Sequence, residues 1–174
     1  VRTDPVASRL ARLLGAELRL AQGDGSAALD LLPSGAKPQD KSSRAELFLT
    51  AQAQLQQGAT GSVASTAPSK TTAGTLTTIT QQLQTWVADH PRDAQAWQLL
   101  SSTYAAEGRT LSSIRAQAEV NVAQLDYPAA LSRFKTAQEW ARKGGAGTDH
   151  FEASIVDTRT RQVESIVREQ ALER

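Results

Sequence analysis

Apolar residues recur along this chain at three- and four-residue steps, the period of a helix with one buried face. Leu10, Leu13, Leu14, Leu18 and Ala21 form the first such stripe, which predicts a helix over 5–22. Asp4 stands where an N-cap belongs, with Pro5 at the first helical position. Gly23-Asp24-Gly25 reads as a turn, and a shorter helix, 26–32, stops at Pro33. A loop over 34–41 leads to a helix over 43–57, with Leu47, Phe48, Ala51 and Leu55 on one side. The rhythm then breaks. Residues 59–74 are small or polar, with Pro68 and the single charge of Lys70, and read as an insertion. Helical phase returns over 75–89 with Leu76, Ile79, Leu83, Trp86 and Val87, and His90-Pro91 ends it.

The next segment is the most regular. Asp93 is placed to cap a helix carrying Ala94, Trp97, Leu100 and Tyr104, which closes at Gly108. A helix over 111–125 follows. Asp126 caps another, with Pro128 in its first turn and Ala130, Phe134 and Ala137 in phase. The stretch 143–147 is a glycine-rich break. Asp149 and Glu152 then form a D-x-x-E capping box for a last helix to about residue 171, with Phe151, Ile155, Ile166 and Val167 on a narrow stripe and charge elsewhere.

Gly23, Gly58 and Gly108 punctuate this pattern at near-equal distances once 59–74 is set aside. The resulting period of about 34 residues is that of the tetratricopeptide (TPR) helix–turn–helix unit. The expected fold is therefore all-α: a single domain over 1–174, a TPR-like right-handed solenoid of about eight helices with a C-terminal capping helix. Its repeats are expected at 5–33, at 43–90 with the insert 59–74, and at 93–143 with an irregular half-repeat in which the turn at Leu125 stands where a glycine is expected. The cap is expected at 149–172. Trp97, Leu100, Tyr104, Ala130 and Phe134 are expected in the core.

Composition changes this picture little. The chain has 174 residues, 19 Lys and Arg against 18 Asp and Glu, and a net charge of +1, with the cations dispersed. That argues against nucleic acid or an anionic membrane as partner. No apolar run approaches the length of a membrane span. With no Met and Val1 first, the chain reads as a fragment of a longer protein. Zero Cys excludes thiolate chemistry. His90 and His150 are isolated and sit in no H-E-x-x-H pattern, so neither a metal site nor a cofactor site is proposed. No G-x-S-x-G elbow occurs, and the Gly-rich 144–148 segment lacks the ending of a P-loop. No catalytic residue is assigned, and this chain is expected not to be an enzyme.

The order His90-Pro91-Arg92-Asp93-Ala94-Gln95-Ala96-Trp97, then Arg115-Ala116-Gln117-Ala118-Glu119, then Leu125-Asp126-Tyr127-Pro128-Ala129-Ala130-Leu131, then Phe151-Glu152-Ala153-Ser154-Ile155-Val156-Asp157-Thr158-Arg159 resembles the C-terminal tail of the beta-barrel assembly-enhancing proteases. These are bacterial periplasmic zinc metalloproteases with an N-terminal H-E-x-x-H domain and a TPR tail. The resemblance covers about 75–170. It implies a periplasmic, non-catalytic tail that contacts its own protease domain and engages the outer-membrane assembly machinery or unfolded clients, with zinc only in the catalytic domain. A stand-alone periplasmic TPR adaptor, such as a cytochrome c assembly factor, is the alternative.

In a TPR the first helix of each pair lines the concave face. On this register Phe48, Gln52 and Leu55, then Gln95, Gln98 and Ser102, then Arg115 and Glu119 are expected to line a protein-binding groove. Amides and hydroxyls of that kind suit an extended peptide, whose backbone groups need hydrogen-bond partners.

Overall fold

The computed structural model describes residues 5–32, 43–61, 70–144 and 149–173. Eight helices occur among them: α1 (Pro5–Ala21), α2 (Gly25–Leu31), α3 (Arg44–Gly61), α4 (Lys70–Asp89), α5 (Ala94–Ala106), α6 (Thr110–Ala123), α7 (Tyr127–Lys143) and α8 (His150–Leu172). No strand occurs among the described residues, so the chain is all-α. The contacts divide it into two compact units, Val1–Gln82 and Leu83–Arg174.

One turn design is used three times. After α1, α5 and α6 the chain reverses through Gln22-Gly23-Asp24, Glu107-Gly108-Arg109 and Gln124-Leu125-Asp126. In each, the middle residue has positive φ: 80° at Gly23, 74° at Gly108 and 64° at Leu125. Its N–H donates three residues back, and the next N–H donates five residues back: Asp24 to Arg19 O at 2.9 Å, Arg109 to Tyr104 O at 2.8 Å, Asp126 to Asn121 O at 2.9 Å. This is the Schellman pairing, which satisfies the last carbonyls of a helix. The residue that completes it then opens the next helix. Asp24 and Asp126 do so with a side-chain bond, accepting from Ala27 N and Ala129 N. Two helices are thus joined by three residues with few backbone groups left over.

Unit 1 is packed from small residues. Ala16, Leu20, Ala28, Leu32 and Ala53 form its buried cluster, and α3 packs against both α1 and α2. The closest approach is at Gly25, where a Cβ would lie 2.7 Å from the Ala53 carbonyl oxygen. Ser43 and Glu46 form a full capping box on α3. The Ser43 N–H donates to the Glu46 carboxylate at 3.0 Å, and the Glu46 N–H to the Ser43 hydroxyl at 3.4 Å.

Unit 2 repeats the theme with larger residues. Trp97, Leu99, Leu100 and Tyr104 bury the inner face of α5, as do Ala130, Phe134 and Ala137 on α7. The residues expected in the core (Trp97, Leu100, Tyr104, Ala130, Phe134) are all buried. Where α5 meets α6 the seam is polar and reciprocal. Ser101 Oγ donates to Ser113 O at 3.1 Å, and Ser113 Oγ donates to Ser101 O at 3.0 Å. Two short side chains let the helices touch, and each caps the other's bent carbonyl. Helix α8 packs on both α7 and α6, as α3 does on α2 and α1. Helix α6 packs against both α5 and α7.

Several expectations need correction. Gly58 lies inside α3 and makes no turn, because α3 runs on to Gly61. The insert is shorter than 59–74: residues 59–61 belong to α3 and 70–74 to α4, while 62–69 lie outside the described residues. Nothing in 70–74 opposes a helix except Gly74, which a long helix tolerates. The apolar stripe of α1 is largely exposed, with Val6 at 62%, Leu10 at 55%, Leu14 at 65% and Leu18 at 59%. The helix buries Ala16 and Leu20 instead. The stripe expected to seat α8 is also out of phase. Phe151 is 85% and Ile155 42% exposed, while Glu152, Val156, Thr160 and Val163 face inward. The Asp4 cap, Pro33, the 34–41 loop and residues 145–148 fall outside the described residues.

Leu125→Gly should raise stability by about 0.5–1 kcal/mol, because a left-handed Leu is strained and glycine is not. Gly25→Ala should lower it by about 1–3 kcal/mol, since the added methyl meets backbone rather than a movable side chain. Chemical denaturation of both variants measures each effect, and opposite signs are expected.

Candidate protein-binding site

The expected groove residues fall into three environments. On α3, Phe48 is 5% exposed and lies under the Arg44 guanidinium, 4.3 Å from ring centre to Cζ. It is a core residue with a cationic lid, not a docking side chain. Gln52 and Leu55 are half-buried and border a shallow concavity of unit 1 shared with Glu17, Leu20 and Gln56. One wall of that hollow is tied down where Gln56 Nε2 donates to Leu20 O at 3.0 Å.

On α5, Gln95 and Gln98 are exposed and Ser102 is half-buried, its hydroxyl donating to Gln98 O at 3.1 Å. Their spacing puts all three on one helix face. The loop before α5 holds that face rigid. Asp93 caps Ala96 N and also accepts the Trp86 indole N–H at 3.0 Å. Trp97 Nε1 donates to Pro91 O at 3.0 Å, and His90 stacks on Trp86 at 4.2 Å. Tyr104 is 2% exposed, and its hydroxyl accepts from Gln84 Nε2 at 2.7 Å.

On α6, Arg115 and Glu119 face α8. Arg115 Nε donates to the Glu152 carboxylate, and the side chains of this pair are 13% and 7% exposed. The same guanidinium lies 5.9 Å over the Trp97 ring. Glu119 accepts from both Arg159 Nε and its terminal nitrogen, each at 2.6 Å, the bidentate geometry that suits a carboxylate. That hydrogen bond and charge raise the Arg159 pKa further above its ordinary value, against the opposing effect of burial. Gln138 on α7 adds a bond to Asp157 at 2.6 Å. Arg115 and Glu119 are thus occupied within unit 2, while Gln95, Gln98 and Ser102 face outward.

The sequence signal for this seam was available but ambiguous. Arg115 and Glu119 sit one turn apart with opposite signs, and Glu152 and Arg159 sit two turns apart with the signs reversed. Glu152 also fits a capping box, and that local use is the one read for it from the sequence. In the fold Asp149 does cap, accepting from Phe151 N and Glu152 N, but the Glu152 carboxylate goes to Arg115.

Among the described residues no group of three or more His, Cys, Asp or Glu could hold a metal ion. None of the described helices is long and apolar enough to cross a membrane. Comparison with protein-family models, curated proteins and solved structures gives no match to this chain.

Unit 1 has a pH-sensitive contact of its own. Arg9 grips Glu46 at 2.8 and 2.9 Å. That bond, with help from Ser43, holds the Glu46 carboxyl below the ordinary carboxylate range. A depressed carboxylate stabilises the fold fully above its unfolded pKa, and the contribution is lost as pH falls through the folded value. In denaturant titrations across acid pH, the wild type should lose stability more steeply than Glu46→Gln, with the two curves converging at the acid end. Parallel curves would show that the pair is solvated away.

Proposed function

We propose that this chain is a non-catalytic protein-interaction module built as a TPR-like solenoid. The observation that carries this reading is the exposed leucine stripe of α1. Leu10, Leu14 and Leu18 are each more than half exposed, at one-turn spacing. A run of large apolar side chains on one helix face is the usual mark of a protein contact. The α5 face adds a second kind of surface, amide and hydroxyl groups on a backbone pinned by two tryptophans. The turn design supports the solenoid reading, since it joins antiparallel helices with the same three-residue connection each time.

The resemblance of 75–170 to the tail of the beta-barrel assembly-enhancing proteases supports a finer proposal. On it the chain is the periplasmic tail of a zinc metalloprotease, touching its own protease domain and taking unfolded outer-membrane proteins or their assembly machinery as partners. Zinc and the cleavage chemistry would belong to the protease domain. The motifs also suit a stand-alone periplasmic adaptor, and an H-E-x-x-H segment in the same gene separates the two.

The test is calorimetry of the purified chain with an outer-membrane barrel protein diluted from urea. Two double variants are compared with wild type, Gln95→Glu with Gln98→Glu, and Leu10→Ser with Leu14→Ser. All four positions are exposed, so melting should change little. Weak binding is expected, reduced about tenfold or more by at least one pair. Binding unchanged by both pairs would rule out these surfaces.

A further inference from the structure

We propose that α8 is a cover that opens on its own, seated on α6 by charge and on α7 by a small apolar contact, and that a client helix reaches α6 only by displacing it. The second clause rests on the client-binding reading above; the first does not.

The argument starts from what anchors α8. The helix has 23 residues, yet its buried side chains are Glu152, Val156, Thr160 and Val163. Thr160 turns its hydroxyl back to its own helix, donating to Val156 O at 2.7 Å. Two valines therefore carry the fully buried apolar contact, with Ala153 and Val167 partly buried beside them. The large apolar residues Phe151 and Leu172 are 85% and 86% exposed. By contrast α5 is anchored by Trp97, Leu99, Leu100 and Tyr104 and by the reciprocal serine pair. Elements with few buried apolar contacts open first.

The remaining hold is polar: two ion pairs to α6 and the Gln138–Asp157 bond to α7. Arg115 meets Glu152 and Glu119 meets Arg159, so α8 runs parallel to α6. Sliding α8 by one turn, or reversing it, breaks both pairs or sets like charges together. Paired buried charges add little net attraction over apolar contacts, but each is costly when its partner is removed. They specify one seat more than they strengthen it.

With α8 away, Phe134, Ala118 and Ala137 would form an apolar floor rimmed by Arg115 and Glu119. That surface fits an amphipathic helix with an acidic and a basic residue two turns apart and small apolar residues between, which is the pattern of α8 itself. The chain carries its own competitor for this site.

Hydrogen–deuterium exchange on the whole chain tests the cover without any client. Helix α8 should exchange at least about tenfold faster than the amides of α5. Glu152→Gln should speed α8 by a further tenfold or so and leave α5 unchanged. Combining Arg115→Glu with Glu152→Arg should return α8 toward the wild-type rate. A labelled peptide spanning 149–172, followed by fluorescence anisotropy, should bind the Glu152→Gln chain at least tenfold more tightly than wild type. Exchange of α8 in step with α5, or equal acceleration of every helix by Glu152→Gln, would overturn the separate opening. Failure of the peptide to bind either protein would overturn the seat. Since neither measurement uses an outer-membrane client, their failure leaves the client-binding reading to its own test.

Discussion

The crossed ion pairs between α6 and α8 set the order of the second unit. Arg115 and Glu119 lie one turn apart on α6; their partners Glu152 and Arg159 lie two turns apart on α8. The long arginine side chains absorb the mismatch, so the carboxylates sit inside while the guanidinium groups reach toward the surface. This fixes the rotation of α8 about its own axis. Turning Glu152 inward puts Val156, Thr160 and Val163 in the same line and sends Phe151 and Ile155 outward. Val156, Val163 and the partly buried Val167 share that inward line, so apolar and charged contacts agree on one rotation and leave Phe151 outside it. Leaving the Phe151 ring in water costs less than burying a carboxylate without its cation.

A second constraint is size. At several of their closest approaches the helices of this chain meet through Ala, Ser and Gly. Gly25 lies against the backbone of α3, Ser101 against Ser113, and Ala16, Ala28 and Ala53 form most of one core. Close backbones exchange side-chain volume for contact, so a chain with only three Trp, three Phe and two Tyr still buries continuous helix faces. The tight turns are part of the same economy of space. A three-residue reversal requires a positive φ, and glycine supplies it twice while Leu125 bears the strain.

How much of this was legible depended on whether the signal was local. Asp93 and Asp126 announced their helices because a cap involves only the next three residues. Gly23, Gly108 and the turn at Leu125 were readable for the same reason. Trp97, Tyr104 and Phe134 were found because large residues in phase have few places to go but the core. Gly58 failed as a turn because a glycine within a long helical run is tolerated, and period alone cannot tell tolerance from termination. The α8 rotation failed because it is decided by residues nearly forty positions away, and Glu152 had a plausible local use. Ser43-Arg44-Ala45-Glu46 was a readable capping box that went unread, hidden beside the loop before it.

The α1 stripe shows where sequence periodicity stops being informative. A moment says that one face is apolar; it does not say that the molecule has something to put there. In α1 the covered face is the one with Ala16 and Leu20, because only small residues let α2 and α3 come close. Leu10, Leu14 and Leu18, which carry the strongest signal, are left on the exposed side. In α8 the valines and the ion-paired Glu152 share the inward face. Both helices thus expose large apolar side chains, but for different reasons. On α8 the exposed Phe151 and Ile155 are left over from satisfying Arg115 and Glu119, and they need no partner to explain them. On α1 the stripe is exposed at four successive turns, and its exposure is not accounted for by the Arg9–Glu46 pair alone. That difference is why the interaction reading rests on α1, while α8 is read as a cover.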